Sequence, residues 1–442
     1  FGMVQISPDT RVGNWDACSG YHYSDSTILG FSHLHLSGTG AQGYGDILFM
    51  PTFGKIQLEP GDEKNTLTGY RSKFNHSSEY AEPGYYSVFL LDDSIKAELT
   101  ATTRAGFHRY TYPGKSSANL IIDLIHMIQS VAVVKEAEFK IVGENKIEGM
   151  KRTSGYIKDH LIYFAAEFSK PISGFGILSD GKLISNIKEV KGDSIKAYLN
   201  FTLGDDKQLL VKIGISTVDY EGARKNLASE IPAWDFEKVR NDAKEIWNKQ
   251  LSKIIINDSS EEKKKIFYTA LYHASIVPNI YFDVDRRYRG RDRQIHECKD
   301  FDNYTALSIW DTFRSTHPLY VLIDPDRAEN LVKNLLAKYE ENGMLPKIEY
   351  GNNDTKDMIG YHSLPVIADA FAKGIRSFDT RLALKAIVNS AYNSDPEMKL
   401  YMQYGYIPSD KKRESVSKTL EYSYDDWTIY KMAKAVGDEK IS

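Results

Sequence analysis

The hydrophobic period of this chain changes once, between residues 225 and 235. That change restricts it to folds joining a sheet-built part to a helix-built part. Before the change, apolar and polar residues alternate over residues 130–142, 161–168, 195–203 and 209–216. These runs are rich in Val, Ile, Phe and Tyr, and Gly or Asp punctuates them at Gly143, Asp180-Gly181, Gly192-Asp193 and Gly204-Asp205. Period-two alternation puts every second side chain on one face of a strand. Many short strands between tight turns predict a large antiparallel sandwich.

After the change, Phe236, Val239, Ala243, Ile246, Trp247 and Leu251 recur at helical spacing, with Asp235 where an N-cap belongs. Further helices are predicted over residues 266–274, 327–339, 359–373, 382–391 and 419–435. The one at 327 is introduced by Asp324-Pro325 and stopped by Gly343. Long polar, aromatic loops join them, as in a toroid of paired helices with a site at one end. About seven such segments are too few to close a twelve-helix ring, so the expectation is a ring only half built.

A net charge of −4 without a basic block argues against a nucleic-acid partner. No apolar run approaches the ~20 residues of a membrane span. The 29 Tyr and 5 Trp fit either sugar stacking or ordinary burial. Cys18 and Cys298 are too few for a disulfide framework and lack metal-site spacing; one bridge between them is left open. The chain starts at Phe1 with no signal peptide to read, and both ends look trimmed.

Several motifs suggest chemistry. Gly38-Thr39-Gly40-Ala41-Gln42-Gly43 matches the dinucleotide fingerprint, but a His- and Ser-rich stretch precedes it and a strand follows, so it is rejected. Asp283-Val284-Asp285 begins like a calcium loop but lacks the later ligands and glycine; the alternative is an acidic turn paired with Arg289 or Arg291. His33 and His35 share one strand face and read as structural more readily than as metal ligands. In Trp310-Asp311-Thr312-Phe313-Arg314, the carboxylate can accept two sugar hydroxyls, the Arg fork can steady it, and Trp offers an apolar platform. A buried Asp–Arg pair under Trp is the equal alternative. Glu421 and Asp425, one turn apart, point the same way. They suit a structural or substrate-orienting role better than an acid and base on opposite sides of a sugar.

Taken together, the ordered segments resemble glycoside hydrolase family 92 over nearly the whole chain. In the first half these are Phe1-Gly2-Met3-Val4-Gln5, Cys18-Ser19-Gly20-Tyr21, Gly30-Phe31-Ser32-His33, Pro83-Gly84-Tyr85-Tyr86 and His108-Arg109-Tyr110. In the second they are Trp310-Asp311-Thr312-Phe313-Arg314, Met358-Ile359-Gly360, Lys373-Gly374-Ile375 and Leu420-Glu421-Tyr422.

The resemblance implies a multidomain β + α protein with an N-terminal antiparallel β-sandwich over residues 1–225. A helical linker over 226–260 and the first part of an (α/α)6 barrel over 261–442 follow. It implies an exo-acting α-mannosidase that uses Ca2+, inverts configuration and acts on mannose-containing glycans outside the cytoplasm. Substrate contacts carry over to Asp311, Trp310 and Arg314, with Trp15 as a further sugar platform from the sandwich. The general acid, the base and the metal ligands are expected beyond Ser442, and none is assigned here. The rest of the barrel or a second copy would then cover the open face. Two other readings stand beside this one: an inactive carbohydrate-binding fragment, and a glycoside phosphorylase of similar plan.

Overall fold

The computed structural model describes residues 1–13, 15–37, 40–393, 395–438 and 440–441. The chain divides into two compact units. The first comprises residues 1–252, 256–279 and 283–287, and the second residues 253–255, 280–282 and 288–442.

The first unit is mostly antiparallel β-structure. A seven-stranded sheet runs in the spatial order Ser7–Asp9, Gly30–Ser32, Leu48–Phe53, Ala118–Asp123, Ile195–Phe201, Ile172–Ser179 and Lys182–Ile184. A nine-stranded sheet runs Glu189–Gly192, Val133–Ile141, Lys146–Ser154, His160–Phe168, Gln208–Ser216, Ala105–Thr111, Ile95–Ala101, Tyr85–Leu90 and Tyr80–Glu82. Their inward residues, among them Phe31, Phe49, Leu120 and Leu199 from the first and Phe139, Phe164 and Ile213 from the second, share one hydrophobic core. Helices α1 (Tyr220–Glu230) and α2 (Phe236–Leu251) pack on the nine-stranded sheet, where Leu227, Phe236 and Val239 meet Tyr85 and Phe107. Asp235 caps α2 by accepting from the Lys238 N–H at 2.9 Å, as the sequence predicts. Helix α3 (Glu261–Ala274) completes the unit.

Both histidines of the 30–38 segment are structural. His33 Nδ1 lies 2.6 Å from the Ile47 carbonyl and its Nε2 lies 2.8 Å from His108 Nε2. His35 bridges Asp9 (2.8 Å) and the Gln5 carbonyl (2.7 Å), and His126 takes the other Asp9 oxygen at 2.8 Å. Burial drives His33 down to about 4. Burial opposes the charge on His35 too, but the Asp9 carboxylate outweighs it and raises that ring. An unfolded His takes its proton near ~6.5. The stability contributed by neutral His33 is therefore present above that value and lost as pH falls toward about 4. Side-chain nitrogen NMR should show His33 neutral until about pH 4, while His35 stays charged above the ordinary histidine range. Two ordinary histidine titrations would contradict this assignment.

Two sequence alternatives are settled here. Asp283 is buried and accepts from Ser216 and Asn226, each at 2.7 Å, and burial lifts it to about 6. Asp285 pairs with Lys225 and Arg287, and the turn at Arg286 folds this segment back onto α1; Arg291 reaches Asp354 instead. No disulfide joins Cys18 to Cys298. Of the glycine fingerprint, Gly38 and Thr39 lie outside the described residues. At Gly43 a Cβ would stand 2.6 Å from the Leu36 side chain, so that glycine serves close packing.

The second unit is helical, with α4 (Ile309–Thr312), α5 (Thr316–Ile323), α6 (Pro325–Asn342), α7 (Ser363–Ala372), α8 (Thr380–Asn393), α9 (Met398–Tyr404) and α10 (Ser415–Val436). Pro325 opens α6, and Gly343 closes it in the left-handed conformation. Helix α7 packs against α5, α6, α8 and α10. A small antiparallel sheet of Leu307–Ser308, Ile348–Tyr350 and Asn353–Asp354 fixes where α4 begins. Among the described residues no helix is long and apolar enough to cross a membrane.

Candidate functional site

Ser308 is held in the small sheet by its pairing with Ile348, and its hydroxyl donates to Asp311 Oδ2 at 2.5 Å. Helix α4 ends one residue later, at Thr312. Asp311 therefore sits exposed on a short, anchored turn, next to the partly buried Trp310. The Trp310 indole nitrogen is buried with no hydrogen-bond partner, an orphaned donor of a kind folded proteins seldom keep.

The expected Asp311–Arg314 pair does not form. The helix stops before Arg314, so that side chain leaves the α4 face and donates to Glu421 Oε1 at 3.0 Å. Its guanidinium lies 4.7 Å from the Phe313 ring centre and 5.3 Å from that of Trp310. Phe313 stacks on His362, with centroids 3.9 Å apart and planes at 14°.

His362 is nearly fully buried, and α10 supplies a carboxylate to each side of it. Nε2 lies 2.6 Å from Glu421 Oε2, and Nδ1 lies 2.8 Å from Asp425 Oδ1. The Tyr361 N–H donates to the other Asp425 oxygen at 2.8 Å, and the Tyr361 hydroxyl donates to Asp426 at 2.7 Å. Burial pushes the Asp425 carboxyl up and the Glu421 charge adds to the rise, while His362 and the Tyr361 N–H oppose it. Gly360 clears the space for this ring, since a Cβ there would stand 2.4 Å from His362 Nε2.

The structure thus joins Trp310, Phe313, Arg314, His362, Glu421 and Asp425 into one cluster edged by the exposed Asp311. Glu421 and Asp425 share one face of α10, as their spacing predicts, and both face His362. Tyr424 and Trp427 stack at 6.3 Å and extend an exposed aromatic surface along the same helix. Trp15 belongs to the first unit, where it lies 75% exposed on a short turn and its carbonyl accepts from Cys18. Sequence reasoning missed His362, although it lies two residues past the matched Gly360. The available signal was a glycine next to two residues able to hydrogen-bond. Among the described residues no group of three or more His, Cys, Asp or Glu side chains is placed to hold a metal ion.

Comparison with known proteins places this geometry in context. Residues 1–216 match the glycosyl hydrolase family 92 N-terminal domain, and residues 222–442 match the glycosyl hydrolase family 92 catalytic domain. A family GH92 α-mannosidase from Bacteroides thetaiotaomicron is 37% identical and superimposes with a TM-score of 0.95 over 100% of this chain and 60% of its own. An inverting GH92 mannosidase of the same organism is 26% identical, with a TM-score of 0.87 over 100% of this chain and 59% of its own. An uncharacterized secreted glycosidase of Arthroderma benhamiae is 25% identical over 99% of this chain and 57% of its own length. The chain thus spans less than two thirds of the length of these relatives.

Proposed function

This chain belongs to glycosyl hydrolase family 92, and from that premise we propose that its protein is an α-mannosidase. In this reading it removes terminal α-linked mannose from glycans outside the cytoplasm, with inversion of configuration. The shared core of the two sheets supports a β-sandwich domain over residues 1–225. Residues 226–260, whose helix α2 packs on the nine-stranded sheet, read as a helical linker, and residues 261–442 read as the first part of an (α/α)6 barrel whose opening helix α3 groups with the first unit.

The observation that carries the proposal is the exposed Asp311 carboxylate, fixed by Ser308 beside the Trp310 ring. An anchored carboxylate accepts hydrogen bonds from two neighbouring sugar hydroxyls, and an aromatic face covers the apolar side of a pyranose. Arg314, tied to Glu421, holds the surrounding polar edge. Trp15 offers a further exposed aromatic face. Sugar bound this way gains reactivity only if the contacts strengthen as its ring flattens toward the transition state.

Calcium enters this reading through the family alone. The described side chains do not by themselves form a calcium site, so no step is routed through the ion. The test is release of mannose from an aryl α-mannoside by the intact protein, before and after EDTA. The expected result is turnover that EDTA abolishes and calcium restores. No release of mannose would overturn the mannosidase reading, and turnover indifferent to EDTA would overturn the calcium requirement.

A further inference from the structure

We propose that a pocket in the first unit, floored by His160 and Thr153, is a carbohydrate-binding site that takes one hydroxyl of a sugar or polyol. The pocket has room for about 20 Å³, which admits a single water-sized oxygen. Tyr44, Met127, Gln129 and Ala132 form its half-buried rim, while Thr153 and His160 are buried at its floor. His160 is 3% exposed, and its Nε2 lies 2.9 Å from Asp46 Oδ2. Burial opposes the charge on Asp46, yet Lys151 and His160 hold that carboxyl well below the usual range. The hydrogen of the His160–Asp46 bond therefore sits on Nε2. The other ring nitrogen, Nδ1, is buried with no hydrogen-bond partner. His160 lines the pocket and Asp46 does not, so Nδ1 is the nitrogen turned to it. Folded proteins seldom keep a buried polar atom unpaired. A hydroxyl pairs with Nδ1 whether that atom accepts or donates, so the assignment is independent of the charge on the ring.

The surrounding elements hold these groups in register. Thr153 and His160 are directly opposed on the antiparallel strands Lys146–Ser154 and His160–Phe168. Opposed side chains share a face with their Cβ atoms ~5 Å apart, so one oxygen between them meets both polar groups. Gln129 accepts from the Tyr156 N–H at 2.9 Å and ties the loop between those strands to the rim. The Tyr44 ring lies 4.4 Å from the His160 ring, with planes at 32°. Its backbone is left-handed (φ 63°), as is that of the β-branched Ile47 (φ 61°). Backbone hydrogen bonds from Gly45 to Leu34, from His33 to Asp46 and from Ile128 to Tyr44 hold this strained turn in place. Strain held this firmly is a recurrent feature of ligand clamps. Tyr44, Met127 and Ala132 give the rim an apolar surface for the C–H face of a sugar, above a floor with few polar groups.

Nitrogen NMR of the histidine-labelled intact protein, titrated with mannose and separately with glycerol, tests this. Loss of one signal in His160→Gln identifies the ring. A saturable movement of the His160 Nδ1 signal is the expected result. Movement with mannose alone marks a site for a sugar ring, and equal movement with glycerol marks a site for any polyol. Thr153→Val keeps the shape and the strand but removes the floor hydroxyl. Half-saturation in that variant should need roughly five-fold more ligand, the share of one hydrogen bond. Binding is read here without turnover, so the two readings fail separately. A wild-type protein that cleaves no mannoside yet binds mannose at His160 would sink the mannosidase reading and leave this site standing. An Nδ1 signal that neither compound moves would mean that water alone fills the pocket, and would overturn the inference. A folded Thr153→Val protein that binds as tightly as the wild type would overturn it too.

Discussion

Asp311→Ala in the intact protein is expected to lower mannoside turnover by roughly a hundred-fold or more while leaving the fold unchanged. Two hydrogen bonds to a charged acceptor contribute roughly 1.5–3 kcal/mol each, and the lower sum already amounts to about a hundred-fold. The fold should survive because Asp311 is exposed and its hydrogen bond to Ser308 is a local one. Steady-state kinetics with a thermal melt would check both halves. A variant that melts early would restore the buried-pair alternative, and one that keeps full activity would remove Asp311 from the site.

The largest loss of stability should come from Lys151→Met. Lys151 is fully buried, 2.9 Å from Asp46 and donating to the His126 carbonyl at 2.6 Å, while His160 takes the other Asp46 oxygen at 2.9 Å. Burial would raise the Asp46 carboxyl, but the charges of Lys151 and His160 hold it well below the usual carboxylate range. Met fills much of the lysine volume but strands the carboxylate, and breaking a buried pair costs about 3–5 kcal/mol. Urea unfolding would show the loss as a lower midpoint at constant slope. Adding Asp46→Asn removes the stranded charge and should recover part of the loss, a non-additivity that a double-mutant cycle measures. The sign with pH follows. A depressed carboxyl contributes stability above its unfolded value, and that contribution is lost only as pH falls through its low folded value. A midpoint unchanged in Lys151→Met would mean that the pair contributes nothing.

The broad plan was legible because hydrophobic period is a local signal. The strands at 161–168, 195–203 and 209–216 fall where alternation puts them, and α2, α6, α8 and α10 fall where the helical spacing puts them. Three helices escaped this reading for separable reasons. Helix α1 carries too few apolar residues to show a stripe, because it buries Ala223, Gly222 and Asn226 against the sheet. In α5, Thr316-His317-Pro318-Leu319-Tyr320-Val321-Leu322-Ile323 has the β-branched, aromatic character of a strand, with a proline in its first turn. Helix α9 is seven residues long and leaves Met402 and Tyr404 exposed.

The site was half legible for a different reason. Spacing within one segment showed that Glu421 and Asp425 share a face, but their meeting with His362 spans about sixty residues and depends on how α7 packs on α10. The misplaced Asp311–Arg314 pair has the same origin. The chain ends the short helix α4 at Thr312, a stop that the spacing of the segment does not reveal.

Gly360 reaches beyond this one chain. Its left-handed backbone and the ring that fills its missing side chain make positions 360 and 362 a single unit of inheritance. A lineage that gains a side chain at the first must first surrender the histidine at the second. Two alignment columns two residues apart should therefore change together or not at all.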